Sequence, residues 1–576
     1  MKVILAKTAG FCMGVRRAME IVMVEANKKE GPLFTFGPLI HNQQVLELLE
    51  AKGVNATEDV KNLTSGRIVI RAHGIPPRKR ASLEQTGLKV IDATCPKVTR
   101  VQAIIRHYSN KGHSAIIVGD RNHAEVIGLM GYSKTPAHVI QDEADVAALS
   151  RIEKPFVVAQ TTQNEEKFNK IVDALKSRFP DLQVFDTICD ATHERQQEVR
   201  TFKGHVDAVV VVGGYHSANT QRLARISEEE SLPTFHVETE KDLDKTKLSG
   251  MRVIALTAGA STPHWMIKNV LQEIERIRDR RETFLTSWFK QVFKFLVLSN
   301  LIVALGAFSF AYAVSILAGR EPIVAFPLLT FLYIYAMHIF NRFLDKGASA
   351  YNDPERAAFL KTHRGLLNIT GITALAMALA LSYMIGTITF LALTGLSLLG
   401  IIYSIPLVPD RLRKTYRYSK IKDIPGSRSL SEALAWVAVI TILPVLETKG
   451  KLSATLMTAF IVFTWSYARA IFFSLLQVQG DLMVGTETLP ITLGERRTLI
   501  LLRIVFLFTA FILLVGPILG IAGLFCYVML MPLFTLWLSL QAYERQWLSP
   551  GITLEALVET NFLLTGLMAL IWQIGR

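Results

Sequence analysis

The sequence predicts a multidomain protein in which a three-lobed α/β half precedes an all-α transmembrane bundle of about nine helices. Residues 1–282 alternate short apolar runs with helical patterns, which is typical of α/β folding. From about residue 290 onward, long apolar runs alternate with short polar loops, as in a membrane-embedded segment. A strand, a tight turn and a helix with a cysteine at the corner occur three times in the first half, which indicates a threefold-like arrangement. We therefore assign 1–282 and 283–576 to two domains.

The charge of the chain does not indicate a nucleic-acid partner. The formal net charge is +14 at pH 7, but basic residues crowd the loops that the positive-inside rule places in the cytoplasm. No basic patch interleaved with aromatic residues is visible in the sequence. The first residues form a strand pattern, so we expect no cleavable signal peptide. The expected location is the inner membrane of a bacterial cell, crossed several times, with the N-terminal half in the cytoplasm.

Three of the 4 cysteines share one local pattern. Cys12 in AGFCMGVRRA, Cys95 in DATCP and Cys189 in TICDAT each follow an apolar run and open a helical segment. Unpaired N–H groups at a helix N-terminus would lower the pKa of such a thiol. Three thiolates can hold a cubane iron–sulfur cluster and leave one iron open for a substrate oxygen. The alternative is three unrelated core cysteines; Cys526, inside a later apolar run, is expected to be a buried bystander.

Polar residues follow several other predicted strands of the first half. Six of them are candidates for ligand binding: His41, His73, His123, Ser217, Asn219 and Ser261. Ligands of open α/β sheets bind beyond the carboxyl ends of the strands, and imidazolium, hydroxyl and amide donors together suit a diphosphate. Glu125, two residues after His123, could deliver a proton to a reacting carbon or oxygen. The alternatives are structural histidines and a solvated surface carboxylate.

These stretches together resemble the 4-hydroxy-3-methylbut-2-enyl diphosphate reductases, the IspH/LytB family, over about 1–275. The matching stretches are GFCMGVRRA, HN at 41–42, AHG at 72–74, DATCP at 92–96, HAEVIG at 123–128, QTT at 160–162, SANTQRL at 217–223 and TAGAS at 257–261. The resemblance implies a three-lobed α/β fold around a [4Fe-4S] cluster. It also implies reductive dehydroxylation of a hydroxylated C5 allylic diphosphate to isopentenyl and dimethylallyl diphosphates, the last step of the non-mevalonate isoprenoid route.

The resemblance also implies roles for individual residues. Cys12, Cys95 and Cys189 would be the cluster ligands, and Thr161 and Glu125 the catalytic residues. The six candidates named above would form the diphosphate pocket, and a reduced ferredoxin- or flavodoxin-type protein would donate electrons. Two positions depart from the family: Ala218 stands where a second serine is frequent, and Ala124 where a proline is usual. The competing reading of this half is an iron–sulfur sensor or electron-transfer module.

The second half contains nine candidate membrane spans. On a criterion of about 20 residues they lie near 295–318, 323–341, 367–386, 387–405, 431–447, 453–476, 499–517, 520–541 and 555–575. Asn341 and Asp345 stand four residues apart at the end of the second span and share a helix face, and Asp481 follows the sixth span. Carboxylates facing one another at the mouth of a bundle could hold Mg²⁺ bridged to a diphosphate. The alternative is helix capping and loop solvation by these acids.

This half is similar to the UbiA-type intramembrane prenyltransferases over about 290–576. The similarity rests on the nine spans, the NxxxD stretch at 341–345, Tyr403-Ser404 and the GD…G..TLP…G pattern at 480–494. It implies Mg²⁺-dependent prenyl transfer to a membrane lipid acceptor, with Asn341, Asp345 and Asp481 at the metal–diphosphate site. Acidic positions of the family are occupied here by Arg342, Ser349 and Gln477. The competing hypothesis is therefore a catalytically silent bundle that anchors the first half.

Overall fold

In the computed structural model of the chain, residues form two compact units, Met1–Arg281 and Glu282–Arg576. The structure describes residues 2–28, 30–60, 63, 65–277, 284–344, 351–404, 421, 424–448, 450–478, 480, 481, 487–545, 547, 548 and 551–575. Asp345, Ser349 and the basic loop at 405–420 lie outside these residues.

The first unit is built from three parallel sheets of four strands each, as far as its described residues go. The strands are β1 (Lys2–Leu5), β2 (Leu33–Phe36), β3 (Val54–Thr57), β4 (Arg67–Ile70), β5 (Lys89–Asp92), β6 (Ser114–Val118), β7 (His138–Ile140), β8 (Pro155–Ala159), β9 (Gln183–Phe185), β10 (Ala208–Val212), β11 (Thr234–Val237) and β12 (Val253–Ala258). Their orders are β1-β12-β10-β11, β3-β2-β4-β5 and β7-β6-β8-β9. The predicted three-lobed α/β fold is confirmed, with one sheet in each lobe.

Helices connect these strands because parallel neighbours require a crossover. They are α1 (Met13–Asn27), α2 (Gln43–Ala51), α3 (Pro77–Glu84), α4 (Pro96–Asn110), α5 (Ala124–Met130), α6 (Glu143–Ala147), α7 (Glu165–Arg178), α8 (Asp190–Thr201), α9 (Ala218–Glu229), α10 (Lys245–Leu248) and α11 (His264–Arg276). The central strands β8 and β10 are buried at every residue, which explains their continuous apolar runs PFVVA and AVVVV.

The three cysteines occupy equivalent places in the three lobes. Each follows an edge strand, β1, β5 or β9, and is the N-cap residue of the next helix, α1, α4 or α8. Each also donates its backbone N–H to the loop after the adjacent strand of its own sheet. These bonds are Cys12 N to Ala260 O at 3.2 Å, Cys95 N to Ala72 O at 2.9 Å and Cys189 N to Thr161 O at 2.8 Å. The repeated strand–turn–helix pattern of the sequence is thus one structural corner, built three times.

The second unit is an all-α membrane domain. Its helices are α12 (Phe284–Leu298), α13 (Leu301–Leu317), α14 (Ala325–Leu344), α15 (Pro354–Thr362), α16 (Arg364–Ile385), α17 (Thr387–Ser404), α18 (Ser427–Val437), α19 (Leu443–Glu447), α20 (Leu452–Leu476), α21 (Leu489–Leu493), α22 (Glu495–Ile518), α23 (Phe525–Val528), α24 (Leu530–Glu544) and α25 (Ile552–Ile574). A π-helical turn, Ala438–Ile442, joins α18 to α19.

All nine predicted spans fall on helices, but these helices differ in length and polarity. Among the described residues, six helices are long and apolar enough to cross a membrane, or seven if α12 and α13 count as one span. These two helices are bent by 70° where Asn300 adopts a positive φ of 61°. The apolar part of α17, Thr387–Tyr403, is shorter than the others. The bundle is therefore a multi-pass membrane domain of about six to seven apolar helices.

Buried ion pairs connect the helices of this bundle. Arg469 on α20 is 4% exposed and donates from Nε to both carboxylate oxygens of Glu559 on α25, at 3.0 and 3.1 Å. It also contacts Glu432 on α18 and lies 5.4 Å from the ring centre of Trp436. A guanidinium inside a low-dielectric bundle is stable only when paired in this way. The pairs fix the relative positions of three helices.

We predict that Arg469→Met strongly destabilises the bundle. The substitution leaves the carboxylates of Glu559 and Glu432 buried without their cation, and breaking such a pair costs about 3–5 kcal/mol. Thermal unfolding of the detergent-solubilised chain measures the loss. Arg503→Met is the matched control, because Arg503 pairs with Glu544 on a partly exposed face and should contribute at most about 1 kcal/mol. Equal losses in both variants would contradict the assignment.

Candidate functional site

The three cysteine corners bring their sulfurs together. Cys12, Cys95 and Cys189 are free thiols, each partly exposed. A Cβ added at Gly14 would lie 2.4 Å from the sulfur of Cys95, so the first turn of α1 lies against the corner of the second lobe. Cys12 and Cys189 both raise the pKa of the Cys95 thiol electrostatically, as neighbouring sulfurs do. Three convergent thiols at helix N-termini are a donor set that fits an iron–sulfur cluster.

Burial reverses the direction of the pKa shift expected from helix N-termini. The sequence predicts lowered thiol pKa values, but the pKa of Cys95 and that of Cys189 are raised. In both thiols desolvation is the largest cause, and it outweighs the N–H groups of the first helical turn. Desolvation thus favours the thiol over the thiolate at both corners.

The three candidate histidines form one cluster. The ring centres of His41 and His73 are 5.1 Å apart, those of His41 and His123 5.9 Å, and those of His73 and His123 5.3 Å. Their nearest ring nitrogens lie within 4.8 Å of one another, a spacing that could also hold a metal ion such as Zn²⁺. The three loops that carry them follow β2, β4 and β6, so the cluster joins two lobes.

These histidines are neutral in the structure, whereas the sequence predicts imidazolium donors. Burial is the main cause that lowers all three pKa values, and it brings that of His123 to about 4. The neighbouring imidazoles add to the effect at His73 and His123, and Arg71 adds to it at His41. A neutral imidazole still offers one N–H donor, so the cluster remains suited to an anion.

Glu125 and Thr161 form a buried pair. The carboxylate of Glu125, which is 1% exposed, accepts from the backbone N–H of Thr161 at 2.7 Å and from its hydroxyl at 2.9 Å. Burial raises the pKa of Glu125 to about 7, although both hydrogen bonds act in the opposite direction. The alternative of a solvated surface carboxylate is therefore wrong. At neutral pH this carboxyl group is poised to give or accept a proton.

The first sheet contributes three buried polar residues to the same region. Ser217 caps α9, and Asn219 follows in its first turn with neither amide atom bonded to any described residue. The hydroxyl of Ser261 donates to the carbonyl oxygen of His41 at 3.3 Å, so this lobe contacts the histidine cluster. A buried amide without a protein partner needs a ligand or water to bond to.

Backbone hydrogen bonds place this polar pocket beside the sulfurs. Ala260, which accepts from Cys12, precedes Ser261, and Ala72, which accepts from Cys95, precedes His73. Thr161 itself accepts from the N–H of Cys189. These contacts link nine of the eleven candidate residues of the first half, and Ser217 and Asn219 lie in the same lobe as Ser261.

A cavity of about 480 Å³ lies inside the second unit. Asn341 and Asp481 both line it, as do Arg342 and Gln477, two of the positions that depart from the prenyltransferase pattern. Asp345 and Ser349 lie outside the described residues.

Sequence reasoning missed Asn352 and the buried ion pairs of this cavity. The amide of Asn352 donates to Asp481 at 3.2 Å and accepts from the N–H of Gly480 at 2.7 Å. The only sequence signal for Asn352 was its place in the stretch NRFLDKGASAYNDPER, eleven residues beyond Asn341. Arg356, at the end of the same stretch, and Arg469 also line the cavity, each paired with acids, and neither was a candidate from the sequence.

Comparison with known proteins gives a match in each half. The LytB protein family matches residues 3–275, and the UbiA prenyltransferase family matches residues 300–551. A 4-hydroxy-3-methylbut-2-enyl diphosphate reductase of Geotalea daltonii is 43% identical over 277 residues, which are 48% of this chain and 98% of that protein. The reductase of Geobacter sulfurreducens is 39% identical over 282 residues, 49% of this chain and 100% of that protein. The solved E-1-hydroxy-2-methyl-but-2-enyl-4-diphosphate reductase of Plasmodium falciparum is 31% identical, covers 47% of this chain and 87% of its own, and gives a TM-score of 0.46.

We predict that the histidine cluster takes up protons when it binds a diphosphate. The pKa values of the three imidazoles lie below their usual value, so the rings are neutral at pH 7, and a nearby polyanion raises these pKa values again. Calorimetric titration of the full chain in detergent with inorganic pyrophosphate, in two buffers of different ionisation enthalpy, measures the uptake. His123→Asn should reduce it, and His205→Asn, outside the cluster, should not. Proton-neutral binding would show that the cluster is not the anion site.

Proposed function

Because this chain belongs to the LytB protein family through residues 3–275, we propose that its first domain, 1–282, is a 4-hydroxy-3-methylbut-2-enyl diphosphate reductase. The observation that supports the proposal is the convergence of three thiols beside buried polar residues from all three lobes. In this assignment Cys12, Cys95 and Cys189 hold a [4Fe-4S] cluster. The bound cluster would supply electrons and an open iron for the substrate hydroxyl.

The residues of the pocket have separate tasks in this reaction. Reductive dehydroxylation breaks one C–O bond, forms one C–H bond and releases water, so it consumes two electrons and two protons. Glu125 is the proton donor, because its raised pKa keeps the carboxyl group protonated up to about pH 7. Thr161 fixes both oxygens of that carboxyl group and borders the Cys189 corner. It therefore positions the proton near the sulfurs.

The diphosphate binds at the other side of the pocket. His41, His73 and His123 donate N–H groups, and the hydroxyl and amide groups of Ser217, Asn219 and Ser261 complete the set. The unpartnered amide of Asn219 supports this assignment, since a phosphate oxygen and a water would satisfy it. Electrons come from a reduced ferredoxin- or flavodoxin-type protein.

The reductase assignment is tested by turnover of the anoxically purified full chain in detergent. With the hydroxylated C5 diphosphate and a reductant, we expect isopentenyl and dimethylallyl diphosphates by mass spectrometry. Glu125→Gln should lower kcat by about 10²–10⁴-fold with little change in KM. The wild-type rate should fall as pH rises above about 7, because the protonated form of Glu125 is then lost.

Cys95→Ser separates loss of the cluster from loss of the proton donor. This variant should bind little iron and be inactive, whereas Glu125→Gln should keep its iron. A fully active Cys95→Ser protein would overturn the assignment. Iron in the wild type without any turnover would instead favour an electron-transfer or sensor module.

We also propose that the second domain, 283–576, is a Mg²⁺-dependent prenyltransferase with a membrane lipid acceptor, in the inner membrane of a bacterium with the first domain in the cytoplasm. The match to the UbiA prenyltransferase family and the cavity that carries Asn341 and Asp481 support this. Asn352 holds Asp481 in place, and the carboxylate and amide oxygens are suitable ligands for Mg²⁺. Arg342 and Gln477 favour the second candidate function, a silent membrane anchor, since they replace acids of the family pattern.

A transferase assay distinguishes these two candidates. With a labelled allylic diphosphate, Mg²⁺ and a lipid extract, the wild type should form labelled lipid, and chelation of Mg²⁺ should abolish the product. Asp481→Ala should lower the rate by at least tenfold, because it removes a metal ligand. Glu544→Gln, on the surface of α24, is the control and should match the wild type. Absence of labelled lipid in every sample would favour the anchor.

A further inference from the structure

Three basic side chains, one from each cysteine-bearing helix, connect the three cysteine corners in a closed ring. Arg17 on α1 donates from Nη1 to the carbonyl oxygen of Thr94, the residue before Cys95, at 3.0 Å. Lys97 on α4 forms an ion pair with Asp190, the residue after Cys189. Arg195 on α8 donates from Nη2 to the carbonyl oxygen of Gly10, two residues before Cys12, at 2.7 Å. We call Arg17, Lys97 and Arg195 the cation ring.

Arg195 is the buried member of this ring. Its side chain is 5% exposed, and Nη1 donates to the carbonyl oxygen of Ala191 at 2.7 Å. The guanidinium therefore bridges the Cys189 corner, through Ala191, to the Cys12 corner, through Gly10. Gly10 has a φ of +109°, a conformation that side-chain-bearing residues rarely adopt, so the turn that presents this carbonyl oxygen to Arg195 favours glycine.

The sulfurs act on the charge of Arg195 more strongly than the nearby carboxylates of Glu194 and Glu198 do. Burial lowers the pKa of this guanidinium, while Cys12 and Cys189 are the first two groups that act against this effect. Two carbonyl oxygens accept its hydrogen bonds, and its Nε atom has no partner among the described residues. A buried cation needs an anion nearby, and cysteine thiolates that hold a metal cluster would supply it.

We propose that the cation ring closes the three lobes around the sulfurs, and that Arg195 is a positioning residue that orients the Cys12 and Cys189 corners and neutralises the negative charge between them. This inference rests on the proposed function, because the charge that it balances is that of a cluster held by thiolates. It assigns two separable roles to one side chain. The hydrogen bonds to Gly10 and Ala191 set the geometry, and the positive charge favours the reduced cluster.

Three substitutions at Arg195 separate charge from hydrogen bonding. Arg195→Lys keeps the charge but cannot bridge two carbonyl oxygens as a planar fork does. Arg195→Gln keeps a donor without the charge, and Arg195→Met removes both. We expect the midpoint reduction potential to become more negative in the Gln and Met variants and to change least in the Lys variant. Iron release to a chelator should be at least several-fold faster in the Lys and Met variants than in the wild type.

The measurements use the full chain in detergent, purified without oxygen, with iron per chain, rate of iron release and midpoint potential as readouts. Arg200→Gln is the matched control, because it removes a cation from the same helix. Arg200 forms an ion pair with Glu166 at 2.7 Å and makes no contact with the cysteine corners among its described ion pairs. Its potential and iron release should equal those of the wild type. If the Arg195 variants do not fold, Lys97→Gln decides, since Lys97 is only partly buried and its loss should also make the midpoint potential more negative.

The outcomes distinguish this inference from the proposed function. A wild type that holds no iron overturns the proposed function itself. A wild type that holds iron, together with unchanged potential and unchanged iron release in Arg195→Gln and Arg195→Met, overturns the inference alone. If Lys97→Gln has to be used instead, a midpoint potential equal to that of Arg200→Gln also overturns the inference alone.

Discussion

The first unit depends on one backbone interaction: the N–H of the cysteine at each corner donates a hydrogen bond to the loop that follows the adjacent parallel strand. These hydrogen bonds, 2.8–3.2 Å long, hold an edge corner of each sheet against a polar loop of the same sheet. Parallel strands end at the same side of a sheet, so the loop is always within reach. Because the three sheets have equivalent strand orders, the same contact recurs in each lobe. Backbone hydrogen bonds alone therefore place the sulfurs beside the polar loops.

Burial then determines the charge state of the pocket. It raises the pKa of acids, as at Glu125 and the thiol of Cys95, and lowers the pKa of bases, as at His73. All of these groups are thus shifted toward their neutral forms in the structure. A pocket of neutral donors gains most when it receives anions, since both a thiolate-bound metal cluster and a diphosphate restore charges that burial removed. The fold thus keeps these groups close to neutral, a state that favours the binding of anionic ligands.

The sequence was sufficient for the corners and for the clustering of polar residues, because both follow from local patterns. An apolar run followed by a cysteine and a helix start is visible within about ten residues, as at Cys95. The neutral state of His123 and the buried bridge made by Arg195 depend on what surrounds them in three dimensions. Arg195 lies six residues after Cys189 in a helix of ordinary polar composition, and its link to Gly10 spans 185 residues. No local pattern contains such a contact.

In the second unit, too, the sequence predicts the elements but not the contacts between them. Long apolar runs predict its helices well, but charged residues such as Arg469 and Glu559 lie inside those runs, where sequence alone gives them no partner. In the structure Glu432, Glu555 and Glu559 are each paired with a guanidinium, so their charges hold helices together. The edge of the cavity at Asn352 and Asp481 joins an amide to a carboxylate instead. Oxygen ligands of that kind suit a hard cation, so the proposed metal–diphosphate site belongs at this edge of the cavity rather than at its ion pairs.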